Sequence, residues 1–233
     1  MNLIGLAGPK GSGKSTVARV LVEKHGFTEM AFADPAKKAV AAIFGFSKED
    51  LWGPSERRES AVAEGFEDAR YCPKCRMPVG PEQRKVLPKY EAGVMCCQTE
   101  NCHLFDVPAC TLRLTPRLAL QSLVTEWGRN MVHPDIWVRA MERHLRYLHG
   151  HWEGSPFPAP AFVLSDIRFP NEAALVSRLG GRVWHIERPG FGWSGEHASE
   201  LGPGFESGDT KIVNDGSADT LAKKAEKGLQ DNV

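Results

Sequence analysis

The residues whose types and spacing could do chemistry begin close to the N-terminus, in a run of glycines with lysines and hydroxyl groups. Residues 8–15 read GPKGSGKS and fit the pattern G-x-x-x-x-G-K-[ST]. Glycines let successive backbone N–H groups turn inward around phosphate oxygens, and the N-terminus of a following helix adds a partial positive charge. The run therefore predicts a loop that binds the phosphates of a nucleotide.

Each side chain of this loop has an expected role. Lys14 neutralises charge on the β- and γ-phosphates, the Ser15 hydroxyl binds Mg²⁺, and Thr16 lies near the α-phosphate. The other loop residues expected to bind the nucleotide are Gly8, Lys10, Gly11, Ser12 and Gly13. The chain has no N-K-x-D guanine signature, which argues against a GTPase, and its 233 residues leave no room for a motor core with a coupled second domain.

Such a loop needs a buried strand before it and a helix after it. Residues 2–8 (NLIGLAG) predict the strand, and apolar residues at helical spacing over 14–25 predict the helix. Residues 47–70 predict one helix with loops. Further strands are expected at 27–33, 161–167, 182–187 and 211–214, and further helices at 34–44, 116–128, 134–148, 170–179 and 218–229. Strands that alternate with helices predict an α/β fold with a doubly wound parallel sheet flanked by helices.

Charged side chains follow two of these strands, where ligands bind in open α/β sheets. Asp34 comes after the second strand and could hold a sugar hydroxyl, orient a lysine or contact Mg²⁺; it could equally cap the helix over 35–44. Asp166 and Arg168 end the strand at 161–167. We expect Asp166 to act on Mg²⁺ through water and Arg168 to point into the same crevice.

Three more side chains are candidates for binding a second ligand. Lys37 lies one turn into the helix after Asp34 and could face a phosphate group. Trp127 and Arg129 flank a glycine and together could cradle a base and its phosphate. Packing in the core is the alternative for Trp127, because leucines share its predicted helix.

All six cysteines lie between positions 72 and 110, and this concentration predicts an inserted module at 71–110. Cys72 and Cys75 form a C-x₂-C pair, and Cys97 and Cys102 form a C-x₄-C pair. Two such pairs at this spacing predict a structural zinc ribbon with four cysteine ligands. Cys96 competes with Cys97 for the third ligand position, and a disulfide is disfavoured in a reducing compartment.

Five stretches besides the phosphate loop carry a resemblance: FADPAKK at 32–38, PR and WGR within 116–129, HPDIWV at 133–138, SDIRFPNE at 165–172 and HASE at 197–200. With the loop, they resemble the phage-type deoxynucleoside monophosphate kinases. The resemblance covers nearly the whole chain apart from about 50–112. It implies a P-loop kinase that transfers the γ-phosphoryl group of ATP, with Mg²⁺, to a deoxynucleoside monophosphate.

The resemblance also gives the glycine-rich stretch at 189–209 an expected role. It implies a lid that closes over ATP and substrate, with Arg188, His197 and Glu200 as its candidate residues. A solvated loop without such a role is the alternative. The inserted cysteine module departs from the common family pattern, which leaves the accepted base open.

Composition and charge exclude or disfavour several classes of protein and of binding partner. Apolar residues make up 42% of the chain, which excludes global disorder, and no run approaches the roughly 20 apolar residues of a membrane span. The 29 Lys and Arg balance the 29 Asp and Glu, which disfavours a nucleic-acid partner. The N-terminus lacks a signal-peptide pattern, so we expect a cytoplasmic protein with one domain over 1–233. Whether it forms a homodimer stays open.

Three other functions compete with the metabolic kinase. The first is a P-loop kinase acting on a hydroxymethylated base in phage DNA, with the zinc ribbon as a clamp. The five basic and four acidic residues within 71–110 count against that grip. The second is a P-loop binding or regulatory module, which would leave Arg129, Asp166 and Arg168 without a role. The third is a dephospho-coenzyme A kinase, which the opening strand, loop and helix alone would also fit.

Overall fold

The computed structural model describes residues 1–66, 113–152, 155–193 and 202–231. The chain divides into two compact units, the first formed by Met1–Asp34 with Asp135–Val233 and the second by Pro35–Pro134. The predicted zinc ribbon at 71–110 lies outside the described residues. His197 and Glu200 of the predicted lid lie outside them as well.

The strands of the described residues all belong to the first unit and form one parallel sheet. Their order across the sheet is β2-β3-β1-β4-β5. In chain order they are β1 Leu3–Ala7, β2 Thr28–Met30, β3 Phe162–Ile167, β4 Arg182–Glu187 and β5 Thr210–Val213. Every residue of β1 is buried, as expected of a strand that is covered on both faces. The predicted parallel sheet is confirmed.

Most helices of the described residues have nearly the bounds that the sequence predicts. In chain order they are α1 Lys14–His25, α2 Asp34–Phe44, α3 Lys48–Trp52, α4 Ser55–Ser60, α5 Pro116–Gln121, a π-helix Ser122–Val132, α6 Ile136–Gly150, α7 Pro170–Arg178 and α8 Ala218–Gln230. None of the helices in the described part of the chain is long and apolar enough to cross a membrane.

Two hydrophobic clusters lie on opposite faces of the sheet, because successive strand residues point to opposite sides. One cluster combines Leu3 and Leu164 with Leu145 of α6 and Leu175 of α7. The other combines buried side chains of the intervening strand positions with α1 and α8; its members include Ile4, Val163, Trp184, Leu21 and Leu221. Helices therefore cover both faces and leave the carboxyl ends of the strands open for ligands.

The second unit is helical in its described residues and has its own small core. Val40, Phe46, Leu51 and Leu114 are buried together there. The single helix predicted within 47–70 is wrong: α3 and α4 replace it, because Gly53-Pro54 interrupts the helical backbone.

The helix predicted at 116–128 also differs from the structure. It starts at Pro116 as expected, with the Thr115 hydroxyl accepting a hydrogen bond from the Leu118 N–H, but it changes to a π-helix at Ser122 and continues to Val132. Turns of π-helix are rare and frequently occur at functional sites. This one carries Trp127 and Arg129.

A carboxylate on α6 joins two helices of the first unit and gives a prediction about acid stability. Glu142 accepts hydrogen bonds from Arg146 at 2.8 Å and from Arg178 of α7 at 2.7 Å. The hydrogen bonds from these two arginines hold the pKa of Glu142 below its usual value, and the bond from Arg146 has the larger effect. The stability that they contribute is therefore present above about pH 4.5 and is lost as the pH falls through the lowered pKa.

We expect Glu142→Gln to lower the free energy of unfolding at pH 7 by up to about 1 kcal/mol, since both arginines are about half exposed. The deficit should shrink as the pH falls below 4. Urea unfolding at several pH values measures it, with Glu23→Gln, an exposed position of α1, as the control. A deficit that stays constant between pH 3 and pH 7 would contradict this account.

Candidate functional site

The glycine-rich loop connects β1 to α1, as the sequence predicts. Gly8, Gly11 and Gly13 all have positive φ angles. At Gly13, whose φ is +111°, a Cβ atom would lie 2.8 Å from Nδ2 of Asn214 and 2.7 Å from a methyl of Leu221. Only glycine fits this position, so the backbone of the loop can lie close to Asn214 and Leu221.

Lys14 is the first residue of α1, and only 14% of its side chain is exposed to solvent. Its Nζ donates to the carbonyl oxygens of Gly8 at 2.6 Å and Pro9 at 3.1 Å, and lies 3.8 Å from Oδ1 of Asp166. Burial lowers the pKa of Lys14, although the Asp166 carboxylate acts in the opposite direction. A poorly hydrated ammonium gains electrostatic free energy from a nearby anion. The loop is therefore suited to bind phosphate.

Asp166 lies at the carboxyl end of β3 and connects Lys14 to a second cation. Its Oδ2 accepts a hydrogen bond from Nε of Arg168 at 2.7 Å. The carboxylate is 36% exposed and the guanidinium side chain 46% exposed, so both can reach a ligand. Since β1 and β3 are parallel neighbours, their carboxyl ends meet at the same edge. The sheet thus brings together three residues that the sequence singled out.

The turn that carries Arg168 is fixed by Glu172, whose role the sequence underestimates. Glu172 is only 3% exposed, and its Oε2 accepts the backbone N–H groups of Arg168 at 2.9 Å and Phe169 at 3.2 Å. A buried carboxylate is tolerated when such hydrogen bonds compensate its lost hydration. In the sequence, Glu172 is an acidic residue near the start of the helix predicted at 170–179, a position that suits the helix dipole. A Glu at the third helical position was the available signal, because it often bonds back to the N-cap.

Asn171 makes a further connection at the start of α7. Its Nδ2 donates to Oδ1 of Asp135 at 2.7 Å. Asp135 is the residue before α6, so this hydrogen bond fixes the start of α7 against the start of α6. The two helix starts lie next to the turn of Arg168 and limit its movement.

Asn214, which follows β5, is a site residue that the sequence analysis missed. Its Nδ2 donates to the carbonyl oxygen of Ser12 at 2.8 Å. Its backbone N–H donates to the carbonyl oxygen of Glu187 at 2.7 Å. The side chain therefore ties the phosphate loop to the far edge of the sheet. Its position after the last parallel strand was the one available signal.

A pocket of about 370 Å³ opens beside the loop, within the size range of small-ligand sites. It lies between the start of α1 and the segment that leads into α8. Its lining includes Thr16, Arg188, Asn214, Ala218 and Leu221. The exposed Ser15 and the buried Ser12 belong to the same lining. Lys10 points to solvent at the outer side of the loop.

Asp34 is the first residue of α2, and its carboxylate turns back along the chain. Its Oδ2 accepts a hydrogen bond from the N–H of Ala31 at 2.8 Å. The helix thus begins at Asp34 itself, one position earlier than a cap for 35–44 requires. The hydrogen bond stabilises the turn between β2 and the helix.

The remaining predicted site residues lie in the second unit. Lys37 Nζ lies 5.3 Å from the ring centroid of Trp52, a cation–π contact. Trp127 is 47% exposed, so packing in the core is the wrong alternative for it. Arg129 Nη1 donates to the carbonyl oxygen of Pro134 at 3.5 Å.

Metal ligands were also predicted. Within the described ranges, no group of three or more His, Cys, Asp or Glu side chains is arranged to hold a metal ion. The predicted zinc ligands, Cys72, Cys75, Cys97 and Cys102, lie between positions 67 and 112, outside the described residues. The zinc ribbon therefore stays a prediction.

Comparison with known proteins gives a consistent family. The family model described as deoxynucleotide monophosphate kinase matches residues 91–225. A protein of Acanthamoeba polyphaga mimivirus, provisionally named a deoxynucleotide monophosphate kinase, is 30% identical over 204 residues, covering 86% of this chain and 81% of that protein. The deoxynucleoside-5′-monophosphate kinase of Escherichia phage T5 is 29% identical and covers 75% and 71%. The deoxynucleotide monophosphate kinase of Escherichia phage RB69 is 26% identical and covers 99% and 100%.

The buried Glu172 gives a prediction about stability. Glu172→Gln keeps one acceptor oxygen for the position of Oε2, which accepts both backbone N–H groups, but it removes the negative charge, so both hydrogen bonds weaken. We expect the free energy of unfolding to fall by about 1–3 kcal/mol. Urea denaturation measures this, with Glu187→Gln at a half-exposed position as the matched control, where the loss should stay below about 1 kcal/mol. Equal losses in the two variants would argue against the role of Glu172.

Proposed function

The chain belongs to the deoxynucleotide monophosphate kinase family, and we propose that it transfers the γ-phosphoryl group of ATP to a deoxynucleoside monophosphate. The observation that carries the proposal is the charge arrangement at the sheet edge, where Asp166 lies between the partly buried Lys14 and the exposed Arg168. Two cations at one edge suit a reaction that brings two anions together. Phosphoryl transfer needs little covalent help beyond positioning and neutralised charge.

The phosphate loop is the proposed site of the ATP phosphates. Backbone N–H groups of the loop are proposed to bind the phosphate oxygens, and Lys14 to neutralise their charge. The nucleoside part of ATP lies in the adjoining pocket, between Thr16 and the segment from Asn214 to Ala218. Asn214 keeps the loop in shape through its hydrogen bond to Ser12.

The donor set at this site also fits Mg²⁺, which prefers oxygen ligands and is bound in kinases by one or two protein groups together with phosphates. The Ser15 hydroxyl and the Asp166 carboxylate are the proposed protein ligands, with Asp166 acting through water. Bound Mg²⁺ supplies positive charge to the β- and γ-phosphates. A cage made only of protein side chains is not needed for that purpose.

In the proposed reaction, an oxygen of the acceptor phosphate forms a bond to the γ-phosphorus as the bond from that phosphorus to the bridging oxygen of ADP breaks. Negative charge spreads over the transferred group during this exchange. Lys14 stabilises the charge on the donor side. Arg168, held by Glu172, stabilises it on the acceptor side.

Trp127, Arg129, Lys37 and Asp34 are the residues proposed to bind the acceptor nucleotide. The exposed ring of Trp127 offers a stacking surface for a base, and Arg129, two residues later, offers a charge for the phosphate. Lys37 provides a further positive charge, and Asp34 a carboxylate for a sugar hydroxyl. Stacking on an aromatic ring accepts any base, so it leaves base selection to other groups.

Two further features are proposals of the same kind. The stretch at 189–209, with Arg188, His197 and Glu200, is proposed to close over the bound nucleotides and exclude water. The cysteine module at 71–110 is proposed to hold one structural zinc ion. Closed four-cysteine sites stabilise a fold and have no open position for catalysis.

The kinase proposal predicts the release of ADP when Mg-ATP is mixed with the four deoxynucleoside monophosphates in turn. Turnover should occur with at least one of them and should identify the accepted base. Lys14→Ala should lower kcat at least about 100-fold, because it removes charge stabilisation from the transferred group. The Lys24→Ala variant, at the exposed end of α1, serves as the control. An active Lys14→Ala variant, or no turnover with any acceptor, would overturn the proposal.

The zinc proposal predicts about one zinc ion per chain in protein purified without chelator. Metal analysis by mass spectrometry measures it. Cys75→Ser should remove the bound zinc and lower the thermal stability, because the site supplies folding free energy. Cys110→Ser is the matched control and should keep the metal. The zinc ribbon would be refuted if the wild-type protein contained no zinc and its thermal stability did not change when zinc was added.

A further inference from the structure

A tight turn directly after β4 places an aromatic ring beside the phosphate loop. Residues 188–191 read RPGF, and the N–H of Phe191 donates to the carbonyl oxygen of Arg188 at 3.0 Å. Proline at the second position and glycine at the third, with φ of +80° at Gly190, are the features of a type II turn. The turn therefore sets the positions of Arg188 and Phe191 relative to each other.

The two side chains lie against each other. The guanidinium carbon of Arg188 is 4.6 Å from the centroid of the Phe191 ring, a cation–π distance. The backbones of the two residues also form an isolated antiparallel bridge. The ring thus covers one face of the guanidinium and limits the rotamers that the long side chain can adopt.

Both side chains also contact the same residue of the phosphate loop. Nη1 of Arg188 donates to the carbonyl oxygen of Gly11 at 3.2 Å. A Cβ atom on Gly11 would lie 2.8 Å from Cε1 of Phe191, so the ring packs directly on the backbone of this glycine. Arg188 therefore lines the nucleotide pocket from a position that Phe191 and Gly11 hold together.

We propose that Phe191 is a positioning residue, which holds Arg188 against the phosphate loop and thereby strengthens the binding of a nucleoside triphosphate. The inference rests on the proposed function of this loop. An arginine that is already ordered loses less conformational entropy when it meets a phosphate than one that is free to move. Phe191 is 45% exposed, so its removal leaves the hydrophobic core intact.

The test is the dissociation constant of Mg-ATP, measured by calorimetry on the full chain without acceptor. Phe191→Leu should weaken binding roughly 3- to 10-fold, as expected for the loss of a partly exposed cation–π contact. Phe191→Tyr keeps the ring and should bind within about twofold of wild type. Phe157→Leu, at an exposed position of the same unit outside the site, is the matched control and should bind as wild type does.

A double variant separates positioning from a general effect on structure. In the Arg188→Gln background, Phe191→Leu should cause no further loss of affinity, because the ring acts through the guanidinium. The inference would be overturned if Phe191→Leu caused its full loss of Mg-ATP affinity in the Arg188→Gln background as well. It would also be overturned if Phe191→Leu alone left the binding unchanged. The proposed kinase reaction is tested separately by turnover with deoxynucleoside monophosphates, so a failure there leaves the measured effect on ATP binding interpretable.

Discussion

The site depends on the positive charge of Lys14, which lies at the edge of a parallel sheet with little access to solvent. Its Nζ is surrounded by two carbonyl oxygens of the loop and by Asp166. Burial of an ammonium costs free energy that these oxygens only partly return, as its lowered pKa indicates. An anionic ligand supplies the rest. The buried strand β1 makes this arrangement stable, because it anchors the start of the loop in the core.

The residues around Lys14 hold backbone and charged groups in place. Glu172 fixes the turn of Arg168, and Asn214 fixes the carbonyl of Ser12. Such preorganisation is what phosphoryl transfer requires, because the transferred group carries charge that must be met by groups already in position. The family relationship agrees with this chemistry: relatives that are similar in sequence over three quarters of the chain or more are named as deoxynucleotide or deoxynucleoside monophosphate kinases.

The sequence predicted the parts of the site that depend on local pattern. Lys14, Asp166 and Arg168 could be expected together, since the carboxyl ends of parallel strands share one edge. Asn214 was missed because its role depends on a tertiary contact: it lies 202 residues from Ser12 along the chain. The role of Glu172 depends on local hydrogen bonds to Arg168 and Phe169, for which its position in the first turn of α7 was a signal. The change from α5 to a π-helix was also missed, since the apolar pattern of residues 116–128 shows no break at Ser122.

The most direct test of the account is calorimetric titration with tripolyphosphate and Mg²⁺, a ligand that has phosphates but no base or sugar. The account predicts binding to the wild-type protein and at least about tenfold weaker binding to Lys14→Met, which keeps the length of the side chain but removes its charge. Lys24→Met, at the exposed end of α1, should bind as wild type does. Equal affinity of the wild type and Lys14→Met would contradict the account.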